Sequence, residues 1–124
     1  MTRFSADSEE DRRTLFADAI AAHRARESPF CTFEAGNGDP AWVQVGGDTL
    51  NLDCTDAELD RLESLLNEFS AFSIEGLTSP ENAQGTNVRV QVFADDERIA
   101  AFVERCFRDV YGQPDEYVAW ASEV

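Results

Sequence analysis

The sequence predicts an α+β fold: a single domain over residues 1–124 with a mixed or mainly antiparallel sheet and helices packed on one face. Three observations carry this. Apolar residues recur with period two in several short segments and with helical spacing in longer ones. Those segments follow the order α-β-β-β-α-β-β-α-β, not strict strand–helix alternation. A chain of 124 residues with 43% apolar content is long enough to bury one core without staples.

Residues 1–7 are expected to be a loose N-terminal segment. Ser8 then offers an N-cap, Glu9, Glu10 and Asp11 place negative charge on a first helical turn, and Leu15, Phe16, Ala19 and Ile20 form an apolar stripe. The helix is expected to end near Arg26, because Pro29 pushes Ser28 toward extended geometry. Strands follow over 30–35, 41–46 and 49–54. In the second, Ala41, Val43 and Val45 share a face, and in the third Leu50, Leu52 and Cys54 point inward. The turn chemistry of residues 36–40 and 46–48 makes this a three-stranded meander.

Thr55-Asp56-Ala57-Glu58 is a capping box, and Leu59, Leu62, Leu65, Leu66 and Phe69 make the stripe of the helix behind it. A short strand over 72–77, a polar loop over 78–86 and a strand with Val88, Val90 and Val92 on one face come next. The third helix opens at Asp95-Asp96 and carries a wide stripe, Ile99, Phe102, Val103, Cys106, Phe107 and Val110, which predicts the most buried helix of the chain. Gly112 and Pro114 end it. In the tail, Val118, Trp120 and Val124 lie on one side of a last strand, expected at a sheet edge. Residues 50–66 and 90–106 match in character at a spacing of forty; the plainer reading is that any hairpin-then-helix unit looks like this.

The chain contains no Lys. All ten basic residues are Arg, set against 12 Asp and 13 Glu, for a net charge of −15. This balance predicts a cytosol of molar salt, where the Debye length falls to about 3 Å and carboxylate repulsion is screened. A Lys there would expose a long apolar stem to a solvent that already strengthens apolar association. The N-terminus lacks an apolar signal region, and no apolar run approaches the roughly 18 residues of a membrane span, so a cytoplasmic location without membrane contact is expected. The negative charge opposes nucleic acid binding. Cys31, Cys54 and Cys106 form neither a disulfide framework nor a zinc pattern. No metal and no cofactor are expected.

Candidate chemistry is sparse. His23, the only histidine, falls on the apolar face of the first helix; it is a candidate base or ligand, and more plainly a partly buried histidine helped by the helix dipole. Cys54 precedes a helix N-terminus, where exposed amides lower a thiol pKa, yet its inward phase makes it an inert core residue. Asp53, Glu75 and Glu81 are carboxylates near strand ends. Arg12, Arg13, Arg24 and Arg26 on the first helix and Arg98, Arg105 and Arg108 on the third invite an anion-site reading, against which stands intrahelical pairing such as Glu104 with Arg108.

The segments Leu50-Asn51-Leu52-Asp53-Cys54-Thr55-Asp56, Gly85-Thr86-Asn87-Val88, Arg98-Ile99-Ala100-Ala101-Phe102-Val103 and the closing Tyr117 to Trp120 resemble the small uncharacterised acidic proteins of extremely halophilic archaea. The likeness spans most of the chain after residue 30. It implies the same high-salt habitat and carries no catalytic motif.

The expected function is therefore that of a non-catalytic interaction or regulatory protein, self-associating as a homo-oligomer, most simply a dimer. The alternative is a small enzyme or ligand-binding protein with a pocket at the strand ends, working from Cys54, Asp53 or His23. That alternative requires two of these side chains within hydrogen-bond reach.

Overall fold

The computed structural model describes residues 5–26, 30–36, 41–79 and 85–122. The expected helix stop at Ser28–Pro29, the turn residues 37–40, the middle of the 78–86 loop with Glu81, and Val124 lie outside the described residues. Local signals set the helices. In α1 (Glu9–Ala25) the Ser8 side chain accepts from the Asp11 amide, and in α2 (Asp56–Leu66) Thr55 and Glu58 form both halves of the capping box. In α3 (Asp96–Arg105) the Asp95 carboxylate accepts from the Arg98 amide at 2.8 Å. The last helix continues through a π-turn, Cys106–Val110, and the chain then turns at Gly112 with a φ of +70°.

Seven antiparallel strands form one open sheet. They are β1 (Ser5–Ala6), β2 (Cys31–Ala35), β3 (Ala41–Gly46), β4 (Thr49–Cys54), β5 (Phe72–Thr78), β6 (Thr86–Val92) and β7 (Ala119–Ser122), in the order β1-β7-β2-β3-β4-β6-β5. The meander is the β2-β3-β4 run. The buried strand residues, such as Phe33, Val43, Leu50 and Val90, all lie on the face that the helices cover, and the other face has no helix on it. The alternation rule thus places Leu50, Leu52 and Cys54 inward, with Val88, Val90 and Val92 beside them.

One expectation is corrected at the tail: β7 is not an edge strand but lies between β2 and β1, and Ser5 and Ala6, within the segment expected to be loose, pair with Trp120 and Ala119. Ala119 of β7 and Tyr117 just ahead of it are buried, while Val118 is exposed. Trp120 therefore points to the bare face. Both phases of this short strand are apolar, so period two alone cannot choose between them.

The forty-residue likeness has a geometric counterpart. Leu50 pairs with Val90, and shifting either partner of Thr49–Gln91 by forty positions yields the observed pair Arg89–Asn51. The central β4–β6 register maps onto itself under that shift, and α2 and α3 begin at Asp56 and Asp96. The strand run β3-β4-β6-β5 is thus a pseudo-two-fold arrangement of two hairpin-plus-helix units, to which α1, β2, β7 and β1 are added on one side.

The retained Arg residues join elements. Arg12 stands in phase with Phe16 and Ile20 on α1 and is fully buried. Its Nε and Nη2 donate to Glu104 Oε1 of α3 at 3.0 and 2.7 Å, its Nη1 donates to the Tyr117 carbonyl, and Nη2 also donates to the Asp115 carbonyl, each at 2.9 Å. The guanidinium lies 3.8 Å from the centre of the Tyr117 ring. Arg24 bonds Asp96 and the Gly47 carbonyl, and Arg105 holds Glu68 and Asp109. Arg108 holds Glu9 and Asp115 and stands 3.8 Å from Glu104. Pairing along the helix is therefore present beside the ties between elements, closely in Arg105–Asp109 and at 3.8 Å in Glu104–Arg108.

Leaving one buried charge without its partner costs about 3–5 kcal/mol, whereas removing both is nearly neutral. Arg12→Met is therefore expected to lower the urea midpoint sharply at fixed salt, and Arg12→Met with Glu104→Leu to recover most of the loss. A double variant no more stable than Arg12→Met alone would show that the tie to the Tyr117 and Asp115 carbonyls, not the charge pair, dominates.

Candidate functional site

The three candidate residues do not converge. Asp53 is exposed on the bare face of the sheet, where it accepts from Asn87 Nδ2 at 3.0 Å. Cys54, one residue on, points into the core on the opposite face. His23 lies beside the β3–β4 hairpin, at the far end of β4, five residues or roughly 17 Å from Cys54. Burial, then the nearby Glu58 and Asp53 carboxylates, push the Cys54 thiol up to about 12, the opposite of what a helix N-terminus does to an exposed thiol. Cys106 is fully buried and likewise raised by burial. Glu75 is exposed on β5, at an irregularity in the β5–β6 register.

His23 does line a cavity. The space, about 190 Å³, lies between the C-terminal end of α1 and the sheet and is bounded by Ile20, His23, Arg24, Cys31, Val45, Gly46 and Gly47. His23 is 8% exposed, and its Nδ1 is buried without a hydrogen-bond partner among the described residues. Burial, with a smaller contribution from Arg26, lowers its pKa below 6.5, so the ring is neutral at pH 7. Burial pushes the Cys31 thiol up to about 11. The cavity thus contains a neutral imidazole and a neutral thiol, a pair without an ionised nucleophile.

The second feature is the bare face of the sheet. Trp120, Glu34 and Trp42 stand in one row across β7, β2 and β3, and Thr32, Gln44, Asn51 and Arg89 form the next row across β2, β3, β4 and β6. Among the described residues, the strands hold three acids, Glu34, Asp53 and Glu75. The acidity is carried by the helices and turns. The aromatic row was not singled out from the sequence, although a signal was present: once Ala41, Val43 and Val45 are assigned inward, Trp42 must stand on the polar side.

An anion site built on the retained Arg residues has weak support. Arg13, Arg105 and Arg108 line one groove of about 480 Å³, but it also holds Glu9, Glu104 and Asp109, and Arg105 and Arg108 are ion-paired there. Among the described residues no cluster of three or more His, Cys, Asp or Glu is placed to hold a metal ion, and no helix is long and apolar enough to cross a membrane.

The chain belongs to a family of unknown function, DUF7975, whose profile matches residues 1–124. No curated protein and no solved structure matches it.

The buried groups set a pH window. Thiols raised from 9 to about 11 at Cys31 and about 12 at Cys54 contribute stability below pH 9 that is lost as pH climbs through those values. The lowered His23 acts in the opposite sense: its contribution is present above 6.5 and lost as pH falls below it. Melting temperature at fixed molar salt is expected to hold a plateau between these limits and to decline on both sides. Across the plateau a thiol-specific reagent should label the native chain only as fast as it unfolds; rapid stoichiometric labelling of Cys54 would contradict the inert assignment.

Proposed function

We propose that the protein is a non-catalytic interaction protein of a high-salt cytoplasm, and that it self-associates through the bare face of its sheet. The observation that carries this reading is the segregation of charge. In a chain of −15, a broad face with three acids and Arg89 presents two Trp side chains among amides and hydroxyls. Aromatic residues with few charges are the composition of interface centres. With the two-residue β1 set aside, six strands spaced about 4.8 Å apart and about six residues long on average give a face of roughly 30 by 20 Å, or about 1,200 Å² for two copies, at the low end of stable interfaces. Edge pairing through β7 is not part of this proposal, since β1 covers Ala119 and Trp120.

The enzyme alternative needed two of Cys54, Asp53 and His23 in one pocket; they lie on opposite faces or at opposite ends of β4. What favours a ligand-binding reading is the His23 cavity alone.

Sedimentation in molar KCl is expected to show a dimer at tens of micromolar, strengthened by salt because salt favours apolar burial. Trp42→Gln and Trp120→Gln should each shift the equilibrium toward monomer with the circular dichroism unchanged. A wild-type chain that is monomeric under these conditions would end the proposal.

The habitat reading has its own test. Near 10 mM salt the Debye length is about 30 Å, so carboxylate repulsion returns across the whole molecule. Against a native stability of about 5–15 kcal/mol this is expected to unfold the chain cooperatively, with partial rescue on moderate acidification. An unchanged helical spectrum at that salt would refute the high-salt adaptation.

A further inference from the structure

We infer that the cavity under the C-terminal end of α1 is a binding site for a compact neutral molecule, a single aromatic ring bearing one O–H or N–H donor that bonds His23 Nδ1. The inference is independent of self-association, which concerns the opposite face of the sheet.

Size, chemistry and access agree. A cavity of about 150 Å³ holds a benzene ring, and this one is about 190 Å³. Its buried side chains are Ile20, Val45, Cys31 and His23, so most of the wall is apolar and favours a ring over solvent. Water is a poor occupant, because an ordered water needs two to four polar partners. The nearby polar groups are largely engaged: the Gly47 carbonyl accepts from Arg24 Nη2 at 3.0 Å, Gly46 is paired with Thr49 in the sheet, and Arg24 Nη1 is bonded to Asp96.

His23 Nδ1 is the exception, a buried polar atom without a partner. A neutral imidazole carrying its proton on Nε2 presents Nδ1 as an acceptor, so the complementary ligand group is a donor. A carboxylate or phosphate would enter beside an uncharged ring and thiol; Arg24, which lines the cavity, is already bound to Asp96, and the charge of Arg26 reaches His23 and Cys31 from outside the lining. Among the described residues, Arg24, about one-third exposed, is the one lining side chain that is not buried, so the entrance lies beside it and the Gly46–Gly47 turn.

The experiment titrates the whole chain in molar KCl at pH 7.5 with phenol and, separately, with benzene, following backbone amides by NMR and the melting temperature. Phenol is expected to move the Gly46, Gly47 and Arg24 amides and to bind roughly tenfold tighter than benzene, the worth of one hydrogen bond. In His23→Phe the preference for phenol over benzene should vanish. Equal affinity for the two probes in the wild type, no binding of either at millimolar concentration, or shifts confined to other parts of the chain would each overturn the inference. These readouts use the wild-type chain, so a failure of His23→Phe to fold leaves the test decisive.

Discussion

The buried ion pair between Arg12 and Glu104 is the constraint on which the rest of the architecture depends. It joins α1 to α3 across 92 positions of sequence, and the same guanidinium takes the carbonyls of Asp115 and Tyr117. Those carbonyls belong to the segment that leaves the π-turn and delivers β7 between β1 and β2. One side chain therefore fixes the helix pair and the entry of the last strand together. A lysine ammonium has three donors on a single atom and no planar fork, so it could not make these four bonds while stacking on the Tyr117 ring. The role of the pair is in register more than in net stability, because burying two charges recovers little beyond their desolvation.

Much of the fold was legible because it is written locally. Ser8, Thr55 and Asp95 announce their helices by capping chemistry, and the Val88–Val90–Val92 alternation identifies β6 without reference to any other segment. What was not legible is non-local. Nothing near residues 5 and 6 says that they will pair with Trp120 and Ala119, and the inward phase of β7 is ambiguous because Trp120 and Tyr117 are both large and apolar. The burial of Arg12 was hidden by its charge, although its spacing from Phe16 and Ile20 was visible. Glu104 between Val103 and Cys106 in the widest stripe was the matching half of that signal.

The candidate site was legible only in fragments. His23 was marked by its place on the apolar face of α1, but the cavity beside it exists because Gly46 and Gly47 close the β3–β4 hairpin without side chains, and Cys31 and Val45 are too small to fill the space. Cys54 was legible as an inert core residue from its inward phase with Leu50 and Leu52, and that phase outweighs its place before a helix. Proximity to a helix N-terminus in sequence says nothing about which way the thiol points, and here it points into a core flanked by Glu58 and Asp53, where ionisation is opposed by burial and by charge together.

Charge and topology then act in concert. The pseudo-two-fold core β3-β4-β6-β5 places two helices on one face, α1 joins them there, and the three helices with the π-turn hold 12 of the 25 acids. The described strands hold three, one each in β2, β4 and β5, and the row Trp120–Glu34–Trp42 stands on the side of the sheet to which β7 was added. The outward strand positions beside those acids are Thr32, Trp42, Gln44, Asn51, Arg89 and Trp120, so the two faces of the sheet differ in composition: one is packed under helices rich in carboxylates, and the other presents tryptophan, amides and hydroxyls, with few acids because Asp and Glu are poor strand formers.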